Sequence, residues 1–236
     1  MIVVAGSRHD PVAVELVRRW PGAALCDAGD LMAPGWRWSA SSWSASTSSP
    51  AGRRTWVVAG SVVPDADVTG VFVRRSAVYP DELGGTHRDD RAYLASEALA
   101  LLVVVLATTG AVVVNPVDAG TLGTDALRPE RWMRVAAELG VDVAPLRLTN
   151  GQVSPRPETG PQPECIVEVV AGEACGDTSR QAVAAVSVAG ALGLRWAVAG
   201  FDGGGRLCAL STTPAPSPRA ADRLGALLGA RSGRAA

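Results

Sequence analysis

The sequence predicts an α/β protein with a parallel sheet near its N-terminus. The chain opens with an apolar, β-branched stretch, MIVVAGS, which indicates a buried strand. A helix should follow in DPVAVELVRRW, with Asp10 as the N-cap and Pro11 at the first helical position. The next apolar stretch, GAALCDAGDL, predicts a second strand. A strand-helix-strand start of this kind is typical of parallel α/β sheets.

Strands and helices alternate along the rest of the chain. VTGVFVRR and AVVVNP predict two short strands, separated by the helix DDRAYLASEALALLVVVLAT. The remaining predicted elements are the amphipathic helix RPERWMRVAAELG, the strand CIVEVVAG, the helix SRQAVAAVSVAGALGL, a hairpin around GFDGGGRLCALS and the closing helix SPRAADRLGALLGARSG.

A proline-rich stretch predicts the domain boundary. Residues 151–164 hold four prolines and no apolar periodicity, which indicates an extended linker. We therefore expect an N-terminal α/β domain over 1–150 and a smaller C-terminal region over 165–236.

Composition excludes several classes of partner. The chain has 236 residues, 47% of them hydrophobic, and a mean hydropathy of +0.17, which favours a folded protein. Its net charge of −1 provides no basic surface for nucleic acid or for anionic lipids. The most apolar run, residues 98–114, is short for a bilayer span and is interrupted by polar residues, so we expect no membrane association. The N-terminus lacks a signal-peptide pattern, and a cytoplasmic location is expected.

The basic residues and the cysteines are both informative. All 22 basic residues are arginine, and the chain contains no lysine. The four cysteines are widely spaced without a CxxC pair, which is typical of small apolar residues in a reducing compartment rather than of metal ligands.

The order of motifs resembles that of the ATP-grasp ligases, in particular the graspetide and RimK-like branch that forms ester or amide cross-links in ribosomally made peptides. The resemblance rests on VFVRR, AYLASEALALL, VVVNP, RPERWMRVAAELGVDVAPLRLTN and the residues Ala199, Gly200, Asp202, Leu210, Ser211, Thr213 and Pro216. It implies a pre-ATP-grasp-like α/β domain at the N-terminus, followed by a truncated remnant of the ATP-grasp C-terminal lobe.

The departures from this family concern its ATP and magnesium sites. The family's Lys-Pro position is Arg128-Pro129 here, and no lysine is present to hold ATP phosphates. Ser211 and Thr213 stand where the family has the Glu and Asn that ligate magnesium, which leaves Asp202 alone. Mg²⁺ prefers carboxylate and phosphate oxygens in octahedral order. The sequence therefore predicts a pseudoenzyme with no catalytic residue, no metal and no cofactor.

Paired arginines are the first candidates for binding. Arg74 and Arg75 follow a predicted strand, at the sheet edge where open α/β sheets bind ligands. Guanidinium groups bind carboxylates well, so an acidic peptide group would suit them. A purely structural alternative remains open, in which the two arginines form salt bridges with acidic residues downstream, namely Asp81, Glu82, Asp89 or Asp90.

Three further residues complete the predicted substrate-binding set. His9 and His87 are the only histidines of the chain. His9 follows the first strand next to Asp10, and His87 lies on a glycine-containing loop that could close over a ligand. Asp202 opens the C-terminal hairpin.

The function that the sequence favours is that of a catalytically silent ATP-grasp homologue. It would bind a peptide, or a partner ATP-grasp ligase, in a pathway of peptide modification or natural-product biosynthesis. The alternative is an enzyme of ATP-independent chemistry on the same degenerate frame. A homodimer is a further open expectation.

Overall fold

The structure is a computed structural model that describes residues 1–38, 54–115, 117, 128–145, 162–176 and 178–230. By contacts the chain forms two compact units, Met1–Thr124 with Leu224–Ala236, and Asp125–Arg223. This division falls near residue 125. The predicted linker over 151–164 stays a prediction, because its residues 151–161 lie outside the described part of the chain.

The first unit contains a parallel sheet. Its elements are β1 (Ile2–Ala5), α1 (Pro11–Arg19), β2 (Ala23–Cys26), α2 (Ala28–Met32), β3 (Thr55–Val58), β4 (Ser61–Pro64), β5 (Gly70–Val73), α3 (Arg91–Thr108) and β6 (Val112–Val114). Four strands pair in parallel in the order β2-β1-β5-β6, while β3 and β4 form a separate antiparallel hairpin. The predicted strand-helix-strand start is confirmed.

Both faces of this sheet are covered, as parallel sheets require. On one face Val71 of β5 shares an apolar core with Leu102 and Val105 of α3. On the other face Trp20, which follows α1, packs edge-on against Phe72, with ring centroids 5.6 Å apart. Successive strand residues point to opposite faces, so Val71 and Phe72 of β5 pack on opposite sides of the same sheet.

The second unit contains an antiparallel sheet. Its elements are α4 (Pro129–Glu138), β7 (Cys165–Val170), β8 (Glu173–Ala174), α5 (Arg180–Ala191), β9 (Trp196–Phe201), β10 (Leu207–Ser211) and the first half of α6 (Pro218–Gly229). The strand order is β10-β9-β7-β8. Trp132 and Ala136 of α4 pack in the core of this unit, because their amphipathic helix buries its apolar face there.

α3 is apolar along most of its length. Residues 88–108, which include this helix, form the one stretch in the described part of the chain that is long and apolar enough to cross a membrane by length and composition. Five side chains of α3 are buried in the protein, and a core helix passes the same criterion. The predicted helix is confirmed.

Candidate functional site

The candidate site lies at the carboxyl ends of β1 and β5. These two strands are parallel neighbours in the sheet. The chain leaves β1 for β2 on one side, whereas β5 and β6 lie on the other side. The edge between β1 and β5 is therefore the point where the strand order reverses, and open α/β sheets bind ligands at such points.

Arg74 is the first residue after β5, and its side chain is paired. Its backbone amide donates to the carbonyl of Ala5 at 2.8 Å, which extends the ladder between the two strands. Its Nε donates to Asp10 Oδ2 at 3.1 Å. Asp10 also caps α1, as predicted, because its Oδ1 accepts from the amide of Val12 at 2.9 Å. Arg74 is thus held at the start of α1.

Arg75 has a different environment, because its side chain is only 4% exposed. Its Nη2 donates to the carbonyl of Gly6 at 2.7 Å and to Glu82 Oε1 at 3.2 Å. Its Nε and Nη1 are buried and have no hydrogen-bond partner among the residues that the structure describes. Buried polar groups are nearly always hydrogen-bonded, and an unmet donor on a charged group is costly. Arg75 therefore offers unused donors at the carboxyl edge of the sheet.

Glu82 lies on a short 3₁₀ turn, Pro80–Glu82, and is one of the four acidic residues predicted as structural partners. Its second oxygen, Oε2, accepts from the exposed amide of Tyr79 at 3.0 Å. The flanking residues Val78 and Leu83 are both buried in the core of the first unit. This anchoring limits how far the predicted closing loop can move, whereas the Glu82 side chain remains partly exposed.

The two histidines are exposed. The side chain of His9 lies at the surface, and its backbone amide donates to Ser7 Oγ at 3.2 Å. The side chain of His87 is 73% exposed, and its Nδ1 lies 3.7 Å from Asp89 Oδ2. Both belong to the same compact unit as the arginines, but neither contacts Arg74 or Arg75 through a hydrogen bond among the described residues.

Asp202 belongs to the other compact unit and is described by itself. It follows β9, and its carboxylate accepts four donors from its own hairpin. Oδ1 accepts from the amides of Gly204 at 3.0 Å and Arg206 at 2.9 Å, and Oδ2 lies 2.9 Å from Arg206 Nε and 2.8 Å from Nη2. The backbone amide and then the guanidinium of Arg206 hold the pKa of Asp202 below its ordinary value. Sequence reasoning missed Arg206, although its spacing of four residues across a glycine turn was visible.

The thiols carry little chemistry. Cys26 is buried and donates to the carbonyl of Val57, and burial raises the pKa of its thiol well above the ordinary value. Burial also raises the pKa of Cys175 and Cys208. All four cysteines are free, but only Cys26 is buried as a small core residue, whereas the other three are partly exposed.

Most of the chain matches the fold of solved ATP-grasp ligases. It is similar to the macrocyclase MdnC bound with precursor peptide MdnA from Microcystis aeruginosa MRC, with 11% identity and a TM-score of 0.64 over 97% of this chain and 99% of that one. It is also similar to the ATP-grasp ligase PsnB complexed with a phosphomimetic variant of its minimal precursor, Mg and ADP, with 15% identity and a TM-score of 0.62 over 96% of each chain.

A third similar structure is the RiPP-associated ATP-grasp ligase of Chryseobacterium gregarium in complex with ADP and a leader and core peptide. It has 9% identity and a TM-score of 0.59, and the match covers 96% of each chain. No protein-family model and no curated protein sequence matches the chain. At these identities the likeness establishes the fold, and the predicted α/β class and family resemblance are confirmed at that level. The matches span most of each neighbour. The predicted truncation stays a prediction.

Among the described residues, those that the resemblance assigns to magnesium binding do not fit the ion that the fold implies. Asp202 already has four donors, which leaves its carboxylate without a free coordination direction. The hydroxyl groups of Ser211 and Thr213 hydrogen-bond to each other at 2.8 Å. The described residues contain no group of three or more His, Cys, Asp or Glu side chains that could hold a metal. The sequence also lacks any lysine for phosphate binding.

Proposed function

We propose that this protein is a catalytically silent relative of the peptide-modifying ATP-grasp ligases that binds an acidic peptide in the modification of ribosomally made peptides. The proposed contact residues are Arg74, Arg75, His9 and His87. Asp202, which the sequence placed in the same set, is left out because its own hairpin saturates its carboxylate.

The observation that carries the proposal is the state of Arg75. A buried guanidinium with two nitrogen atoms that lack a partner among the described residues lies at the point of the sheet where α/β proteins bind ligands. Charge-assisted hydrogen bonds to a carboxylate would satisfy such donors, and they are about twice as strong as neutral hydrogen bonds. Support for a peptide as the carrier of that carboxylate comes from MdnC and PsnB, whose structures contain precursor peptides.

The absence of catalysis is supported by the chemistry of the C-terminal hairpin. The Arg206 guanidinium, which is permanently charged, forms an ion pair with Asp202. The family resemblance assigns the position of Asp202 to a magnesium ligand. Phosphoryl transfer depends on metal ions and cationic side chains that neutralise the developing charge. Titration calorimetry with millimolar Mg·ATP should therefore show no saturable heat. A micromolar dissociation constant would overturn the silent-homologue proposal.

Peptide binding is tested with a synthetic peptide that carries a tract of glutamates. Arg75→Ala should weaken its binding by at least about tenfold, which corresponds to roughly 1.4 kcal/mol. Arg88→Ala removes the same charge from an exposed position of the same unit and serves as the control. Binding should be expressed per folded molecule, because Arg75 is buried and its loss also lowers stability. Equal losses in the two variants would show that only net charge matters and would contradict the proposed site.

The partner-ligase version of the function has its own signature. If this protein docks on a partner ligase instead, Arg75→Ala should bind the glutamate peptide no more weakly than the parent protein does. The variant should also still co-purify with the ligase. That outcome would exclude the peptide proposal.

A further inference from the structure

We propose that Glu82 is an internal occupant of the Arg75 site, and that an incoming acidic group must displace the Glu82 carboxylate in order to bind. This inference rests on the proposed function, since it concerns the regulation of the same site. It assigns Glu82 as the residue that limits affinity and Arg75 as the residue that recognises the carboxylate.

The first argument is the chemistry of the contact. Glu82 presents to Arg75 the same group that an acidic peptide would present, and the Nη2–Oε1 distance is 3.2 Å. The Arg75 side chain is only 4% exposed, and two of its nitrogen atoms have no partner among the described residues. One monodentate carboxylate therefore leaves the guanidinium incompletely satisfied.

The second argument is the route from solvent. The Glu82 side chain is 17% exposed, and its carboxylate joins a buried guanidinium on one side to an exposed amide, that of Tyr79, on the other. In the proposed exchange, this side chain rotates outward and the incoming carboxylate takes its place beside Arg75.

The third argument is the rigidity of the backbone beside Glu82. Val78 and Leu83 are 6% and 3% exposed and belong to the apolar core of the first unit. The backbone of the turn is also closed by two hydrogen bonds, from Glu82 to the Tyr79 carbonyl at 3.0 Å and from Leu83 to the Pro80 carbonyl at 3.1 Å. The exchange of carboxylates is thus a side-chain event on a fixed turn, and not the closure of a loop.

With a competing internal carboxylate, the apparent affinity equals the intrinsic affinity multiplied by the fraction of molecules in which the site is free. Removing the charge of Glu82 while keeping its shape should raise that fraction. Glu82→Gln is suitable because the amide oxygen can still accept from Tyr79. Asp81→Asn is the matched control, since Asp81 is the preceding residue on the same turn, is exposed and carries the same charge.

The experiment measures binding of an N-acetylated, C-amidated hexaglutamate peptide by calorimetry at low ionic strength, with hexaglutamine as the blank. Glu82→Gln should bind at least about fivefold more tightly than Asp81→Asn, because only the former frees the site. The double variant Arg75→Ala with Glu82→Gln should show no such gain. In Glu82→Gln, the ¹⁵N resonance of Arg75 Nε–H should shift on addition of the peptide.

Each outcome decides a separate claim. Equal affinities of Glu82→Gln and Asp81→Asn, with measurable binding in both, would overturn the displacement inference and leave the proposed function standing. A gain that persists without Arg75 would also overturn it. Failure of every variant to bind the peptide would overturn both. Should Glu82→Gln fold poorly, Glu82→Asp keeps the charge but shortens the side chain, and it should give a smaller gain of the same sign.

Discussion

Arg74 Nε and Asp10 Oδ2 lie 3.1 Å apart, and this contact joins the end of β5 to the first turn of α1. The same carboxylate accepts from the amide of Val12 through its other oxygen. One aspartate thus serves as a helix cap and as the partner of an arginine 64 residues away. The neighbouring Arg75 pairs with Glu82 instead, through Nη2 alone, and its Nε and Nη1 have no partner among the described residues.

Asp10→Ala should lower the free energy of unfolding by about 1–2 kcal/mol, because it removes the cap and leaves Arg74 without this carboxylate. Asp10→Asn keeps an oxygen for the cap and loses only the charge, so its cost should be smaller. Urea denaturation followed by circular dichroism provides both values. Equal losses in the two variants would indicate that the ion pair, and not the cap, stabilises this end of the sheet.

Gly70→Ala should destabilise the protein by about 1–3 kcal/mol. A methyl group at Gly70 would lie 2.6 Å from the carbonyl oxygen of Leu228 and 2.7 Å from its Cα, so the backbone would have to shift. Gly110→Ala is the control, because no described residue other than its chain neighbours lies within 4 Å of the added methyl group. Thermal unfolding should show a clear fall in Tm for the first variant and little change for the second. Similar values would mean that α6 tolerates displacement from β5.

Asp202→Asn should destabilise the protein near neutral pH, and the difference from the parent should shrink in acid. The folded state lowers the pKa of Asp202, so its carboxylate adds stability above the unfolded-state pKa of about 3.9. This contribution is lost as the pH falls through the lower, folded-state value. Thermal unfolding from pH 7 to pH 2 should show the convergence. Asp142→Asn, at an exposed position whose carbonyl accepts from Leu207, should stay close to the parent throughout.

A constant gap between Asp202→Asn and the parent down to pH 2 would contradict this linkage. It would mean that shape, and not charge, is what the aspartate contributes to the hairpin.

Cys26 should resist alkylation in the folded protein. Its side chain is 1% exposed, and burial raises the pKa of its thiol, so almost no thiolate is present at pH 8. Iodoacetamide followed by peptide mass spectrometry should label the partly exposed Cys165 first. Cys26 should become labelled only in denaturant. Labelling of Cys26 in the native protein at the rate of Cys165 would show that the core opens readily around α2.

The local elements of the first unit were predictable because each has a short-range signal. Asp10 and Pro11 mark the start of α1, and the apolar run of α3 is long enough to exceed any strand. The allocation of α4 was not predictable in this way. An amphipathic helix shows that it has a buried face, but the identity of the sheet that covers this face depends on contacts remote in sequence.

The features of the candidate site likewise divide into those with a local sequence signal and those that depend on contacts remote in sequence. By itself, the sequence determined the parallel α/β start, the cap at Asp10, the position of two arginines directly after a strand, and the lack of lysine. Only the tertiary structure decided that Arg74 is paired with Asp10, that Arg75 is buried with unmet donors, and that Asp202 is saturated by Arg206. The physical reason is the parallel pairing of β1 with β5, which brings Gly6 and Arg75 together across 69 residues, and sequence periodicity carries no information on which strands pair.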